Sequence, residues 1–337
     1  MPLILEVDAG RWRDHLKSYV GTHPGVVPVA KGNGYGFGTA VLAAEAADLG
    51  VSTLAVGTYD ELPAVGAFPG ETLVLSPWRP GIQAAPGRVI HTVSRLSDLR
   101  DLTREQDRPD VVVELLTSMR RHGVTLDELS DVAALLRGVR FRGWALHLPL
   151  TGDRLGEARS LAGPLLAAAH GPLWVSHLEP NHAAVLAADL STDVHLRVGT
   201  DLWLGARSAL RARATVLDVH ELRRGETFGY RQRRARRAGR IVVVTGGTAH
   251  GIALEAPTPA ASLRQRAVAV AKGGLEATGR ALSPFHIGGK QRWFAEPPHM
   301  QCSMIWLPAG VAPPAVGDEL DVDVRFTTTS FDQIRWS

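Results

Sequence analysis

The chain has 337 residues, a formal net charge of +3 and 45% hydrophobic residues, enough length for one large barrel plus a smaller domain and an ordinary soluble composition. Its single cysteine, Cys302, excludes an internal disulfide framework and a cysteine-built metal site. With no cationic leader followed by an apolar run and no apolar stretch of membrane length, a cytoplasmic protein without a membrane partner is expected.

The opening PLILEVD (2–8) is strand-like and could join either domain. Next comes VVPVAKGNGYGFG (26–38), an apolar run that ends at Lys31 and runs straight into glycines. A run this short reads as a strand buried on both faces, so Lys31 sits where the strand leaves the core. Desolvation there disfavours the ammonium, which is what an amine needs before condensing with an aldehyde as a Schiff base. The glycines let backbone N–H groups approach a ligand, and Tyr35 can place a hydroxyl among them.

From residue 26 to 199 a short β-branched run, a loop and usually an alanine- and leucine-rich helical pattern recur. The strand candidates are 26–30, 53–57, 72–76, 89–94, 111–116, 142–148, 173–178 and 195–199. Eight such alternations point to a (β/α)8 TIM-like barrel, with weak helix signals after the third and fourth strands. Function in such barrels gathers at the C-terminal strand ends. The polar residues there are Lys31, Glu114, His147, His177 and Arg197, with Met119 and Arg121 in the loop after the fifth strand.

After Gly205 the period becomes two (209–222), followed by 225–230, 240–247, an irregular stretch 255–300, then 302–308 and 318–330, with Pro and Gly at the joints. This reads as a C-terminal all-β domain. The division is drawn as a barrel over 8–218 and a β domain over 219–337 that includes strand 2–7. Six of the ten residues from Arg231 to Arg240 are arginine, a charge that can meet phosphate or nucleic acid. No aromatic stacking residue lies inside the run, so it reads as a solvated hairpin or inter-subunit surface, and no nucleic-acid partner is expected.

With Lys31, Arg197 and this domain order in place, the chain resembles the alanine racemases, enzymes of fold type III that use pyridoxal 5'-phosphate (PLP). VAKGNGYGFG (29–38) is similar to V-K-A-N-A-Y-G-H-G of that family. TLAVGTYDEL (53–62), TSMRRHGV (117–124), LRVGTDLWLG (196–205), GETFGY (225–230) and HMQCSMIWLP (299–308) match further family segments in the same order. The resemblance implies Lys31 as the Schiff-base lysine and a proton-transfer base, and Arg197 as the donor to the pyridine nitrogen. It implies Tyr35, Gly199 and Thr200 at the phosphate, with His182 where a phosphate-binding serine is common. Arg121 and Met300 would face the substrate carboxylate, and His147 would sit beside the ring. A permanent cation at the ring nitrogen disfavours its protonation and weakens the electron sink, which suits racemisation.

Departures accompany the matches. GTAHGI (247–252) puts Thr248 where the family has its second base, a tyrosine, and threonine is too short and too weak an acid for that role. Glu114 stands where a carbamylated lysine is usual, and Phe331 near an expected phosphate-binding tyrosine. His147, His250 and His299 are candidate replacement bases, since histidine titrates near neutral pH. The resemblance implies an amino-acid racemase working as a homodimer with shared active sites. A fold type III enzyme that decarboxylates or exchanges a proton on one face, or a PLP-holding protein without racemase activity, is the alternative.

Overall fold

The computed structural model describes residues 2–82, 88–105, 107–254 and 281–337, so much of the irregular stretch 255–300 lies outside the described residues. The chain forms two compact units, one of Arg13–Gly34 and Gly38–Gly205, the other of Met1–Trp12, Tyr35–Phe37 and Ala206–Ser337.

The chain begins with β1 (Leu3–Val7) and α1 (Ala9–Gly21). Eight parallel strands follow in the first unit: β2 (Val26–Pro28), β3 (Thr53–Val56), β4 (Glu71–Val74), β5 (Val89–Val93), β6 (Asp110–Leu115), β7 (Arg140–His147), β8 (Leu173–Ser176) and β9 (Val194–Val198). Their order is β2-β9-β8-β7-β6-β5-β4-β3, and a parallel bridge between Val29 and Ala55 joins the two ends, so the expected barrel closes. All four residues of β3 and of β8 are buried, because side chains fill the interior while helices cover the outside. Val27, Ala55, Leu73, Ile90, Val112 and Trp174 are part of that interior. A filled barrel is a packed core, which leaves chemistry to the strand ends. Near the N-terminal ends, Arg142 on β7 clasps both oxygens of Glu71 at 2.6 Å and reaches Asp110 at 3.1 Å.

The helices of this unit include α2 (Thr39–Asp48), α3 (Leu96–Leu102), α4 (Leu129–Leu135), α5 (Arg154–Ala168), α6 (Pro180–Leu190) and α7 (Thr200–Trp203). Local signals set their starts. Asp153 caps α5 by accepting the Gly156 N–H at 2.9 Å, and Pro180 occupies the first turn of α6. Between β4 and β5 there is no helix among the described residues, whereas the weak signal after β5 does form α3.

The second unit holds β10 (Leu210–Leu222), β11 (Thr227–Phe228), β12 (Arg233–Arg234), β13 (Gly239–Thr245), β14 (Leu282–Ile287), β15 (Lys290–Phe294), β16 (Cys302–Pro308), β17 (Glu319–Asp321) and β18 (Gln333–Trp336). Its main sheet runs β14-β15-β16-β13-β10-β1-β18, with β17 paired to β10. The opening stretch therefore joins this sheet: Leu3 lies opposite Ala214 in antiparallel pairing, and Leu5 beside Ile334 in parallel pairing. A division between residues 218 and 219 falls inside β10, while the compact units part at Gly205 and Ala206. Buried Val216, Val242, Val244, Phe285, Ile305 and Leu307 contribute to the core of this unit.

The expected strand 318–330 is only three residues long. Past Val322 the N–H groups of Thr328 and Thr329 both turn back to the Arg325 carbonyl, and that turn buries Phe326 and Thr329. The arginine run contains β12, paired with β11 in a small hairpin, and Arg240, which meets Glu221 at 2.6 Å. No helix among the described residues is long and apolar enough to cross a membrane.

Candidate active site

The mouth of the barrel is built where β2, β3, β6, β7, β8 and β9 end. Just beyond β2 the chain turns, the Gly34 N–H donating to the Lys31 carbonyl at 3.0 Å, and Lys31 is left exposed at the mouth. Glu61 fastens this turn to the end of β3: it accepts the Gly32 N–H at 2.7 Å and the Gly57 N–H at 2.6 Å. Gly57 allows the approach, since a Cβ there would lie 3.1 Å from the Lys31 Cβ. Partial desolvation lowers the Lys31 ammonium below its ordinary range, and repulsion from Arg121 and Arg197 adds to this against the attraction of Glu61.

Arg197, the fourth residue of β9, is buried and donates from Nη2 to the Leu146 carbonyl at 3.0 Å. Among the described residues its Nε–H has no hydrogen-bond partner. Burial pulls the guanidinium down to about 10, partly offset by Glu114, so it remains a cation at neutral pH. Glu114 on β6 is 2% exposed, sits 3.9 Å from the Arg121 guanidinium through Oε1, and has an Oε2 without a hydrogen-bond partner among the described residues. Burial raises its carboxyl, and the Arg197 and Arg121 charges oppose that. A donor and an acceptor buried without partners at one mouth mark a place made for a polar ligand.

His147 closes β7. Register sets it beside Ser176 of β8, and its Nδ1 lies 3.0 Å from the serine Oγ. Thr117 Oγ1 donates to its carbonyl at 2.6 Å, and the His177 ring meets it edge-on at 4.9 Å. His177, in the left-handed region at φ 59°, donates from Nδ1 to the Leu148 carbonyl at 2.7 Å. Burial first, then the charges of Arg197, Arg121, His177 and Lys31, push His147 down to about 3, so it is neutral in the folded protein at pH 7. The unfolded chain binds that proton near the ordinary 6.5. His147 therefore leaves stability intact above about 6.5 and erodes it as pH falls toward 3. His147→Gln is expected to flatten that acid slope in melting temperature against pH, in part only, because His91 and His177 are shifted the same way. An unchanged slope would remove His147 as a source.

Gly199 precedes α7, whose Trp203 Nε1 donates to the Val29 carbonyl at 2.9 Å and ties the helix to the end of β2. Thr200 is exposed at the first helical position, and His182 is the third residue of α6, half-buried. The barrel unit thus gathers Lys31, Glu114, Arg121, His147 and Arg197 at one mouth, each charge acting on its neighbours.

Tyr35, His250 and Met300 belong to the other unit. Tyr35 is buried in the left-handed region at φ 54°, and Met300 is 70% exposed. His250 is engaged at both ring nitrogens: Nδ1 accepts the Gly247 N–H at 3.2 Å, which leaves Nε2–H to donate to Asp332 at 3.2 Å. Beside it Thr248 is exposed. Glu61 and Ser176 escaped sequence reasoning. Glu61 lies within TLAVGTYDEL (53–62), and the one signal for Ser176 is its place beside His177 at a strand end.

The model of the family described as "Alanine racemase, N-terminal domain" matches residues 7–207. The alanine racemase of Mycobacterium leprae (strain TN) is 28% identical over 234 residues, covering 60% of this chain and 60% of that protein. That of Mycolicibacterium vanbaalenii is 31% identical over 245 residues, covering 61% and 60%. The chain is matched over only 60% of the length of both curated relatives. Among solved structures, the alanine racemase of Bartonella henselae with covalently bound pyridoxal phosphate aligns at TM-score 0.75 and 14% identity, covering 100% of both chains. The biosynthetic enzyme of Pseudomonas aeruginosa aligns at 0.72 and 20%, covering 100% and 99%. At these identities the likeness to solved structures is one of fold.

Proposed function

The chain belongs to the alanine racemase family, and on that premise we propose that it is a PLP-dependent amino-acid racemase acting on alanine or a relative. One observation carries the reading: a buried guanidinium at the barrel mouth whose Nε–H has no partner among the described residues. Such a donor fits an aromatic ring nitrogen that accepts a hydrogen bond, and an amine with a lowered pKa stands at the same mouth. The residues that would hold the cofactor in this unit are Lys31, Arg197, Gly199, Thr200 and His182.

When bound, the cofactor supplies the electron sink that acidifies the substrate α-C–H. Arg197 keeps a fixed positive charge against the ring nitrogen. Lys31 takes and returns the α-proton through its Nζ, whose ammonium form is disfavoured by desolvation and by the neighbouring cations. Arg121 attracts the substrate carboxylate, and Glu114 orients that guanidinium from 3.9 Å. His147 is the favoured second proton carrier: burial first, then the neighbouring positive charges, hold it neutral, and an arriving carboxylate offsets those charges and raises its affinity for a proton. His250, committed at both nitrogens, is the weaker candidate. The same reading carries a homodimer and a cytoplasmic location.

A second reading is favoured by Thr248, which stands where the family tyrosine is expected: one-sided proton exchange or decarboxylation. The purified protein with added PLP is given L-alanine and, separately, D-alanine in deuterated water, and the α-proton and optical rotation are followed. Racemisation of both enantiomers with deuterium at Cα is expected. Exchange with retention, or release of carbon dioxide, establishes the second reading instead, and cofactor binding without any turnover overturns both.

A further inference from the structure

The second unit carries a nucleophile, a base and a buried carboxylate in one contiguous set. Glu296 is 4% exposed. Its Oε2 accepts the Tyr230 N–H at 3.0 Å, and Gly229 passes so close, at φ 72°, that a Cβ there would lie 2.1 Å from the same oxygen. Its Oε1 lies 2.7 Å from His299 Nε2. An ionised carboxylate can only accept, so Nε2 carries the hydrogen and the neutral ring keeps its lone pair on Nδ1. That atom faces Cys302 Sγ at 3.8 Å.

The remaining contacts hold this order. The His299 N–H donates to the Cys302 carbonyl at 2.9 Å, and its own carbonyl accepts the Thr248 N–H at 2.8 Å. The Tyr230 ring, 83% exposed as a residue, lies over the imidazole with centroids 4.5 Å apart. Arg233 donates to the Ala295 carbonyl at 3.1 Å next to Glu296. Cys302 itself is half-buried.

We propose that Cys302, activated by His299 and oriented through Glu296, is a reactive thiol that takes up small-molecule disulfides as a reversible modification. Nucleophile, base and orienting carboxylate in hydrogen-bonding sequence is the arrangement that activates a thiol or hydroxyl elsewhere. Burial keeps the sulfur protonated at rest, so its proton must leave as it attacks, and Nδ1 is placed to receive it. Sγ attacks one sulfur of the disulfide, that S–S bond breaks, and a Cys302 mixed disulfide forms. The expelled thiolate takes the proton from Nδ1 and departs as a thiol. Cys302 is oxidised and the disulfide reduced, with no other reactant.

Because Cys302 is the only cysteine in the chain, intact mass reads the reaction directly. The protein is treated with bis(2-hydroxyethyl) disulfide from pH 5.5 to 9.5, and the rate of adduct formation is measured for wild type, His299→Ala and Glu296→Gln, with melting temperatures as a check on folding. The expected wild-type rate rises at lower pH than the titration of a free thiol at about 8.5 would allow. His299→Ala should be slower by roughly 10- to 100-fold at pH 7, with a rise displaced to higher pH. Glu296→Gln should be slower by several fold. Should His299→Ala fail to fold, the wild-type profile and Glu296→Gln decide alone. Absence of an adduct, a wild-type rise that follows only thiol titration, or equal rates in wild type and the two variants would overturn the proposal.

Discussion

Lys31→Ala should abolish covalent attachment of the cofactor and lower turnover by on the order of 10³-fold or more, since it removes both the nucleophilic amine and one proton carrier. The protein should still fold. Lys31 is exposed and its loop is held by main-chain groups, through the Gly34 N–H to the Lys31 carbonyl and the Gly32 N–H to Glu61, which alanine retains. Borohydride reduction followed by peptide mass analysis locates the attachment in wild type at Lys31, and the variant should carry none while melting within a few degrees of wild type. A variant that still forms the reduced cofactor adduct would show that another lysine carries it.

Arg197→Met should act through the charges around it. Removing this buried cation withdraws the strongest charge that depresses His147 and the strongest that opposes the upward shift of Glu114. His147 should then titrate upward from about 3 toward its ordinary range, and Glu114 should become harder to ionise. Turnover should fall by roughly 10²-fold or more, because the preorganised donor at the ring position is lost. Imidazole titration followed by NMR gives a readout independent of activity. A His147 titration unmoved in Arg197→Met would mean that burial and the other neighbouring charges hold the ring neutral without Arg197.

The barrel was legible because parallel strands buried on both faces read as short, mostly apolar runs, as in TLAV of β3 and LWVS of β8. β18 was not. QIRW has a single β-branched residue, and its pairing is decided by β1, more than 300 residues away. The stretch 318–330 alternates like a strand, yet the Arg325 carbonyl collects two turn N–H groups and ends it.

The same contrast holds at the mouth. Lys31, His147 and Arg197 could be collected because a barrel directs attention to its strand ends. Ser176 acquires a role only through the register that sets β8 beside β7, and Glu61 only because it reaches 29 residues back to Gly32. Neither relation has a local pattern. The Glu296, His299 and Cys302 set is spaced by threes along a loop and a strand start, a spacing without meaning until Gly229 and Tyr230 fold against it.

The seam between the first and last strands of the closed sheet order has a functional corollary. It is stitched by the Val29 to Ala55 bridge, the Ala30 N–H to the Ala55 carbonyl at 2.8 Å, and the carboxylate that grips Gly32 and Gly57. The amine therefore hangs from the zip of the cylinder, where ring closure is finished by a handful of bonds. Any parting there would draw Lys31 away from Glu61 and Gly57 while β2 stays paired with β9, the strand of Arg197, so the grip of Glu61 on Gly32 is a gauge of whether the ring is shut.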